Sequence, residues 1–471
     1  MPIVERGEKI AFKDAAERTL QDGQMRRNLR HATTVIRGKR EIVVNEIDDW
    51  QELREQAKQI KTKALKSLPR LLEQLEENVA KAGGQVHWAR DADEASDIVK
   101  QLAKQSGAQE VVKIKSMTTE EINLNRVLAD EGIQAIETDL AELIIQLGND
   151  ESTHIVVPSV HWNRDQIREL FVREFNQPAL TNNPPELANA ARAYLRRKFL
   201  TAKVAVSGAN FAVAETGSVG IVESEGNGRM CLTLPETLIS VMGIEKVIPT
   251  WEELSPILEV LPRSATGERM NPYTSIWSGT RESDGPKNFH LVLLDNGRTD
   301  ILKDPVARET LHCIRCGACL NICPVYRRTG GQAYQSPYSG PIGAIFSPQI
   351  WRNERHFAHL PFASSLCGAC ADVCPVKIPI PRILTQLRYR MKKQSGQAGF
   401  FERFAMGIVT WFFMREQRFA WLLKLAKFGQ APFKRKDKLV SVPLMGAWFE
   451  ARDLPAVADE TFRDWWKKNK L

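Results

Sequence analysis

Apolar positions along the first two thirds of the chain switch repeatedly between a helical and an extended period. Leu68, Leu71, Leu72, Leu75 and Val79 share one face of a helix that Ser67 can cap and Gly83-Gly84 can end. Short apolar runs at Val86-His87-Trp88, Glu110 to Lys115, His154 to Pro158 and Phe289 to Leu294 read as strands, with Asp93 to Ser106 as a helix among them. Thr118 and Glu121 have capping-box spacing. Glu137-Thr138-Asp139 opens a further helix, and Asn183-Pro184-Pro185-Glu186 sets proline at another first turn. Two apolar runs hinged at Thr216-Gly217-Ser218 predict a β-hairpin, and its Glu223 to Arg229 tail reads as a Gly-rich loop. Alternation resumes with Ile244 to Pro249 and a helix from Trp251. The pattern predicts an α/β domain with a mostly parallel sheet over 66–297. Residues 1–65 are polar and helical at Ala11 to His31 and Glu46 to Lys66, an arm that either packs or stays solvated.

Beyond the last strand the pattern changes. Arg298 to Thr310 reads as a helix leading into a cysteine-rich region over 298–393. Within that region, Tyr334 to Pro348 is rich in Pro, Gly and Ser yet carries Tyr334, Tyr338, Ile345 and Phe346, which argues for order. A basic helix from Arg382 to Lys393 leads into a basic aromatic tail, 394–471.

Composition adds bounds. The 471 residues suggest about three domains. Apolar and charged fractions of 43% and 26% are those of a soluble globular protein, so a metal site need not be what holds the fold together. The Met1 to Lys9 start is too charged for a secretory signal. The longest apolar run, Phe404 to Met414, is about half of a membrane span. A cytoplasmic location, where thiols stay reduced, is expected. The net charge of +8 concentrates between Arg382 and Lys436, where thirteen Lys/Arg stand against two Glu. This suits a partner protein or an anionic membrane surface at the inner face. No nucleic-acid motif accompanies it.

The chemistry lies in the cysteines. Cys313, Cys316, Cys319 and Cys323-Pro324 follow C-x2-C-x2-C-x3-C-P, and Cys367, Cys370 and Cys374-Pro375 form a second piece. This is the spacing of bacterial ferredoxin-type clusters, in which the fourth cysteine of each run ligates the other cluster. Position by position, Cys313, Cys316, Cys319 and Cys374 then hold one cluster and Cys323, Cys367 and Cys370 the second. The second lacks a cysteine, because Ser364 stands where the complete pattern has one. Ser364, His356 or His359 as fourth ligand, solvent or substrate on the fourth iron, and a three-iron cluster all remain open. Zinc prefers paired C-x2-C units and fits this run poorly. A disulfide framework fits seven crowded cysteines less well still.

These runs lie downstream of Ser207-Gly-Ala-Asn-Phe-Ala-Val-Ala-Glu-Thr-Gly-Ser218 and the Glu225-Gly-Asn-Gly-Arg229 loop. From about residue 60 to past 440 the chain resembles the lactate-utilisation iron–sulfur protein B family. The resemblance implies a LUD domain, with the fold of the isomerase/CoA-transferase group, followed by an α-helical ferredoxin-type 4Fe-4S domain. It implies two 4Fe-4S clusters and a part in oxidising L-lactate to pyruvate. It further implies two partners, one cysteine-rich and one a small LUD-domain protein.

Lactate oxidation moves two electrons, whereas clusters move one at a time, and the chain has no G-x-G-x-x-G fingerprint. An electron-transfer subunit is therefore expected, not a complete dehydrogenase. The alternative is a LUD-domain enzyme acting on a CoA ester or sugar phosphate, with Glu215 as nucleophile and structural or sensory clusters. A small-anion site is expected beyond the strand ends, from Lys113, Lys115, Thr118, Glu215, Glu223, Asn227 and Arg229. Against it, Thr118 can simply cap, the loop simply turn, and Glu215 be a surface side chain. Cys231 reads as a buried small hydrophobe. His312 either tunes a cluster or is an exposed histidine.

Overall fold

The computed structural model describes residues 10–352, 354–395, 400–440, 442, 449 and 454–469. The charged Met1 to Lys9 start, read above as unlike a secretory signal, lies outside them, as does part of the tail. The chain divides into two units, Met1–Arg388 and Tyr389–Leu471, and the division falls inside the helix Ile380–Ser395. Among the described residues no helix is long and apolar enough to cross a membrane.

The first unit is built on a six-stranded parallel sheet. Its strands are β1 (Gln85–Ala89), β2 (Glu110–Lys113), β3 (Gln134–Glu137) and β4 (Val204–Gly208). Further along the chain come β5 (Phe211–Val213), β6 (Ser218–Glu223), β7 (Thr237–Gly243), β8 (Val247–Ile248), β9 (Tyr273–Trp277) and β10 (Asn288–Leu294). The large sheet has the order β1-β10-β7-β4-β2-β3, and β8-β5-β6-β9 form a smaller mixed sheet. Both faces of the large sheet are covered. On one side Leu238, Met242, Leu291 and Leu293 meet Leu68, Leu71, Leu72 and Leu75 of the helix Leu68–Lys81. On the other, Ile239, Val241, Val292 and Leu294 meet Ala95, Val99 and Ala103 of the helix Ala92–Gln105. A strand buried on both faces reads as a continuous apolar run. That is why β4 and β7 give no alternation to read.

The hairpin forms as expected, β5 pairing antiparallel with β6 across Gly217 at φ +68°. A Cβ at Gly217 would lie 2.5 Å from the backbone N of Val79, so the turn is also a packing point.

Several expectations are corrected. His154 to Pro158 is a tight turn, not a strand. His154 Nδ1 accepts the N–H groups of Val156 (3.0 Å) and Val157 (3.1 Å), which no extended chain permits. Thr118 and Glu121 form no capping box. Ser116 is the cap, its Oγ accepting from the N–H of Thr118 (3.2 Å) and Thr119 (3.4 Å), while Glu121 turns inward to Arg298. Ser67 makes no side-chain cap. The Gly-rich tail after β6 winds into the helix Asn227–Thr233. Arg298 to Thr310 is two pieces, Arg298–Lys303 and the 3₁₀ turn Ala307–His312, parted where Asp304 caps the second.

The N-terminal arm packs. It comprises the helices Phe12–Thr19, Gly23–Asn45 and Trp50–Lys66. Met25, Leu29, Trp50, Leu53 and Ala57 share one core with Leu320, Cys323, Cys370, Cys374, Ile378 and Ile383 of the cysteine-rich region. The Tyr334 to Pro348 stretch is ordered and contributes to the helix Gly340–Ile350, with Tyr334, Tyr338, Ile345 and Phe346 buried.

The second unit contains the helices Phe400–Phe413, Glu416–Gly429 and Phe462–Asn469 and a small sheet of Lys434–Arg435, Lys438–Leu439 and Leu454–Pro455. Gln430 ties its ends, exchanging hydrogen bonds with the Val457 backbone (2.9 and 2.7 Å). Phe404, Trp411, Phe413, Trp421, Phe428, Trp465 and Trp466 are exposed.

Candidate functional site

The two cysteine pieces fold against each other. Gly317 (φ +75°) and Gly368 (φ +88°) turn the backbone inside each piece, a conformation open to glycine at no steric cost. At Gly317 a Cβ would press on Val156 at 3.1 Å and His154 at 3.3 Å, so the loop is seated on the 154–157 turn. His154 is buried and its imidazole is pushed down to about 4, by burial first and then by Lys115. It is therefore neutral. With Nδ1 accepting two backbone N–H groups, its proton sits on Nε2 and is donated to Asn321 Oδ1 at 3.0 Å.

None of the eight cysteines is in a disulfide. Seven of them fall into two electrostatic neighbourhoods that touch where Cys319 feels Cys370. Cys316 feels Cys374 and Cys313, and Cys319 feels Cys313, Cys316, Cys370 and Cys374. Cys323 feels Cys367, and Cys370 feels Cys323 and Cys367. Burial, then repulsion from neighbouring cysteines, pushes Cys316, Cys319 and Cys370 up, Cys370 to about 12, and burial also raises Cys323 and Cys374. Backbone N–H groups point at the sulfurs, as from Arg315 to Cys313 Sγ and from Ile378 to Cys374 Sγ, both 3.4 Å. Crowded buried thiols that repel one another yet receive N–H donors suit thiolates on a shared cationic group, so the residues fit a cluster. Among the described residues, no three His, Cys, Asp or Glu are arranged to hold a single ion. A cubane takes each thiolate at a different iron.

The two neighbourhoods differ in surroundings. Cations gather at the first. Arg54 donates to Cys374 O through Nε (3.0 Å) and Nη2 (2.7 Å), and Arg40 donates to Val373 O (3.1 Å). Lys61 and Arg315 act on Cys313. At the second, Cys367 is exposed. A small cavity there is lined by Cys323, Cys367 and Cys370 together with Ser364 and Ser365. His356 packs against Phe357 in the 3₁₀ turn Arg355–Phe362, and neither it nor His359 lines that cavity. His312 is buried, not exposed, and burial followed by Lys61 and Lys58 pushes it down to about 3.

Another cavity, of about 210 Å³, lies beyond the carboxyl ends of β2 and β4. Lys115, Ser116, Asn210, Glu223, Asn227, Lys246 and Asn271 line it, and the Cys313-Ile314-Arg315 segment closes one wall. Of the residues expected at an anion site, Lys115, Glu223 and Asn227 are there. Lys115 pairs with Glu142 at 3.1 Å, whose carboxyl burial pushes up to about 7. Lys113 is not available, being fully buried against Glu137 (2.8 Å) and Glu120 (3.1 Å). Thr118 is buried behind the wall, its Oγ1 accepting from Lys246 Nζ at 3.4 Å. Glu215 lies elsewhere, exposed and accepting the Trp251 N–H at 3.3 Å. Arg229 is also exposed, and it is its backbone N–H that reaches Glu223 (2.9 Å). Cys231 is fully buried and pushed up to about 12 by burial, an inert thiol.

Lys246, Arg315 and Asn271 were not singled out from the sequence. The signal for Arg315 was its place between two cysteines. Lys246 carried none, since its burial comes from the turn after β7. Lys246 is held by Ala209 O at 2.7 Å, and burial lowers it to about 8.

Three family models match the chain: LUD domain over 72–294, 4Fe-4S dicluster domain over 309–378, and lactate utilisation protein B, C-terminal over 385–471. A curated protein of Bacillus licheniformis named lactate utilization protein B is 41% identical over 98% of this chain and 97% of its own. That of Bacillus subtilis is 41% identical over 97% and 95%, and that of Geobacillus kaustophilus 43% over 90% of each. A solved duf162 family protein from Deinococcus radiodurans aligns with 48% of this chain and 98% of its own, at 13% identity and a TM-score of 0.27. The dicluster match makes this an iron–sulfur protein of the 4Fe-4S type.

Proposed function

Because the chain belongs to the lactate utilization protein B family, we propose that it is the iron–sulfur electron-transfer subunit of a complex oxidising L-lactate to pyruvate. Cys313, Cys316, Cys319 and Cys374 hold one cluster and Cys323, Cys367 and Cys370 the other. Ser364, Ser365 or a solvent ligand completes the second. Bound there, each cluster supplies one-electron chemistry. Arg40, Arg54, Lys61 and Arg315 offset the negative charge that reduction adds at the first set. The exposed Cys367 edge brings the second set to the surface, where a partner can exchange electrons. The observation that carries this reading is that juxtaposition: one cysteine set forms the wall of a cavity and the other reaches solvent.

The hydride acceptor belongs to a partner, since the chain has no dinucleotide fingerprint. The partners are the cysteine-rich and small LUD-domain proteins, in the cytoplasm. The second unit, with Arg403, Arg415, Arg418, Lys424 and Lys427 among its exposed aromatics, is the docking face for them, with anionic lipid as a further contact. Anaerobic assay of the purified chain alone should show no lactate oxidation. Activity should return with both partners and an acceptor. Turnover of lactate by the chain alone would sink the reading. Deleting 394–471 should abolish capture of the partners, and unchanged complex formation would remove the docking role. The CoA-ester or sugar-phosphate alternative needs Glu215, and its place outside the cavity counts against it. Glu215→Gln should leave the reassembled activity intact.

A further inference from the structure

Arg315 stands inside the first cysteine loop, between Cys313 and Cys316. It adopts φ +61°, a left-handed conformation that strains a side-chain-bearing residue. This backbone turn carries its side chain inward, to 9% exposure. The guanidinium stacks on Phe346 (4.3 Å) and Tyr338 (4.7 Å) and gives Nη2 to Glu245 at 3.3 Å. Nε and Nη1 are buried without a hydrogen-bond partner. Along the same cavity, Thr266 Oγ1 and Asn271 Oδ1 are also buried and unpartnered. Buried polar groups are ordinarily satisfied, and several orphans around one cavity point to a ligand that satisfies them.

The chemistry of that ligand follows from the wall. Nε and Nη1 lie on different edges of the guanidinium, so each can give one charge-assisted hydrogen bond to an anionic oxygen such as that of a carboxylate. Lys246 adds a second cation. Asn271 Oδ1 accepts a hydrogen bond, as from a hydroxyl. Ile314 and Leu261 offer room for a short alkyl group. The volume of about 210 Å³ is below that of sites built for drug-sized ligands.

We propose that this cavity binds a small 2-hydroxy or 2-oxo carboxylate, clamped by Arg315 and Lys246, and that occupancy lowers the reduction potential of the neighbouring cluster. The second half rests on the ligand set Cys313, Cys316, Cys319 and Cys374 proposed above; the binding itself does not. An anion against Arg315 cancels positive charge beside Cys313, so adding an electron there becomes harder. By linkage the acid binds the oxidised protein more tightly than the reduced one.

The test is anaerobic calorimetry on the full cluster-loaded chain with L-lactate, pyruvate, acetate and inorganic phosphate, beside an EPR-monitored redox titration. L-lactate or pyruvate should bind saturably, and Arg315→Gln and Asn271→Ala should each weaken binding at least tenfold. The midpoint should move to more negative potential with ligand, and a tenfold preference for the oxidised form reads as about 59 mV. Asn271 stands apart from the cysteine loops, so its variant tests the site even where Arg315→Gln loses iron. Saturable binding of neither acid, binding of phosphate alone, or binding unmoved by Asn271→Ala would overturn the site. Binding with an unmoved midpoint would overturn the coupling. Intact binding in a chain whose reassembled complex fails to oxidise lactate would leave this inference standing and sink the proposed function.

Discussion

Replacing Arg298 by methionine should destabilise the first unit by about 3 kcal/mol at pH 7. The guanidinium is 1% exposed and bridges two buried carboxylates. It grips Glu121 with both prongs (2.8 and 2.9 Å), gives Nε to Glu245 at 2.5 Å, and reaches Asp295 O at 3.1 Å. Removing one member of a buried pair costs roughly 3–5 kcal/mol, because a charge is left without its counterion. The lower end applies here. Glu245 keeps Arg315, with Lys246 and Lys61 nearby, and Glu121 keeps Asn296 (2.7 Å) and the Tyr338 hydroxyl (2.5 Å). Anaerobic urea unfolding, followed by circular dichroism and tryptophan fluorescence, measures the loss.

The pH dependence is the sharper signature. Burial alone would raise the Glu245 carboxyl, but Arg298, Arg315, Lys246 and Lys61 outweigh it and hold it at about 2, against 4.5 when unfolded. Glu121 is likewise held low by Arg298, against its own burial. In the wild type, their stabilisation is present above about 4.5 and is lost as pH falls toward about 2. Without Arg298 the same carboxyls shift upward, so protonation between pH 7 and 5 relieves the buried charge and stabilises the variant. The gap between wild type and variant should therefore narrow from pH 7 to 5. A loss under about 1 kcal/mol, or a gap constant across that range, would refute the reasoning, since the pair of Glu121 and Glu245 would not then depend on Arg298 for charge balance. Adding Glu121→Leu to Arg298→Met should recover part of the loss, because both halves of the tightest pair are then gone.

Other predictions follow from the cysteines and one glycine. Cys313→Ala and Cys374→Ala, though far apart in sequence, should leave the same EPR spectrum of a remaining cluster, and Cys323→Ala and Cys370→Ala should share a different one. Four distinct spectra, or the opposite pairing, would break the proposed ligand sets. Cys231 should resist alkylation by iodoacetamide in the native protein at pH 8, since it is fully buried and pushed up to about 12; rapid modification without unfolding would contradict that. Gly331→Ala should lower stability by about 1–3 kcal/mol in the same urea assay, because an added Cβ would sit 1.9 Å from Thr153 O and must push apart two backbone segments. An unchanged midpoint would show that the contact is slack.

Much of the chain was legible because its determinants are local. Cysteine spacing sets loop geometry over a few residues, and a single amphipathic face announced the helix Leu68–Lys81, the five residues of that face all being buried. The glycine of the Thr216-Gly217-Ser218 hinge marked the hairpin because only a left-handed turn fits there. The LUD and dicluster regions were legible through those motifs and the resemblance they carried.

Tertiary structure decided what contact decides. β4 and β7 are buried on both faces, so their strand character left no alternation to read. Ser116 and Thr118 offer similar hydroxyls for a cap, and the choice fell to Ser116 because Glu121 is drawn inward by Arg298 from beyond the last strand. The polar arm was left open between packing and solvation; its apolar residues pack on the cysteine loops, and Arg54 finds the Cys374 carbonyl across 320 residues. Arg315 was not singled out by the sequence; only the fold sets it against the cavity beyond the sheet. The sequence by itself determined the amphipathic helix Leu68–Lys81, the hairpin and the metal-binding chemistry, since these depend on residues a few positions apart. Which groups face one another across the domains was settled by burial, where desolvation makes each polar group's partner a matter of the whole fold.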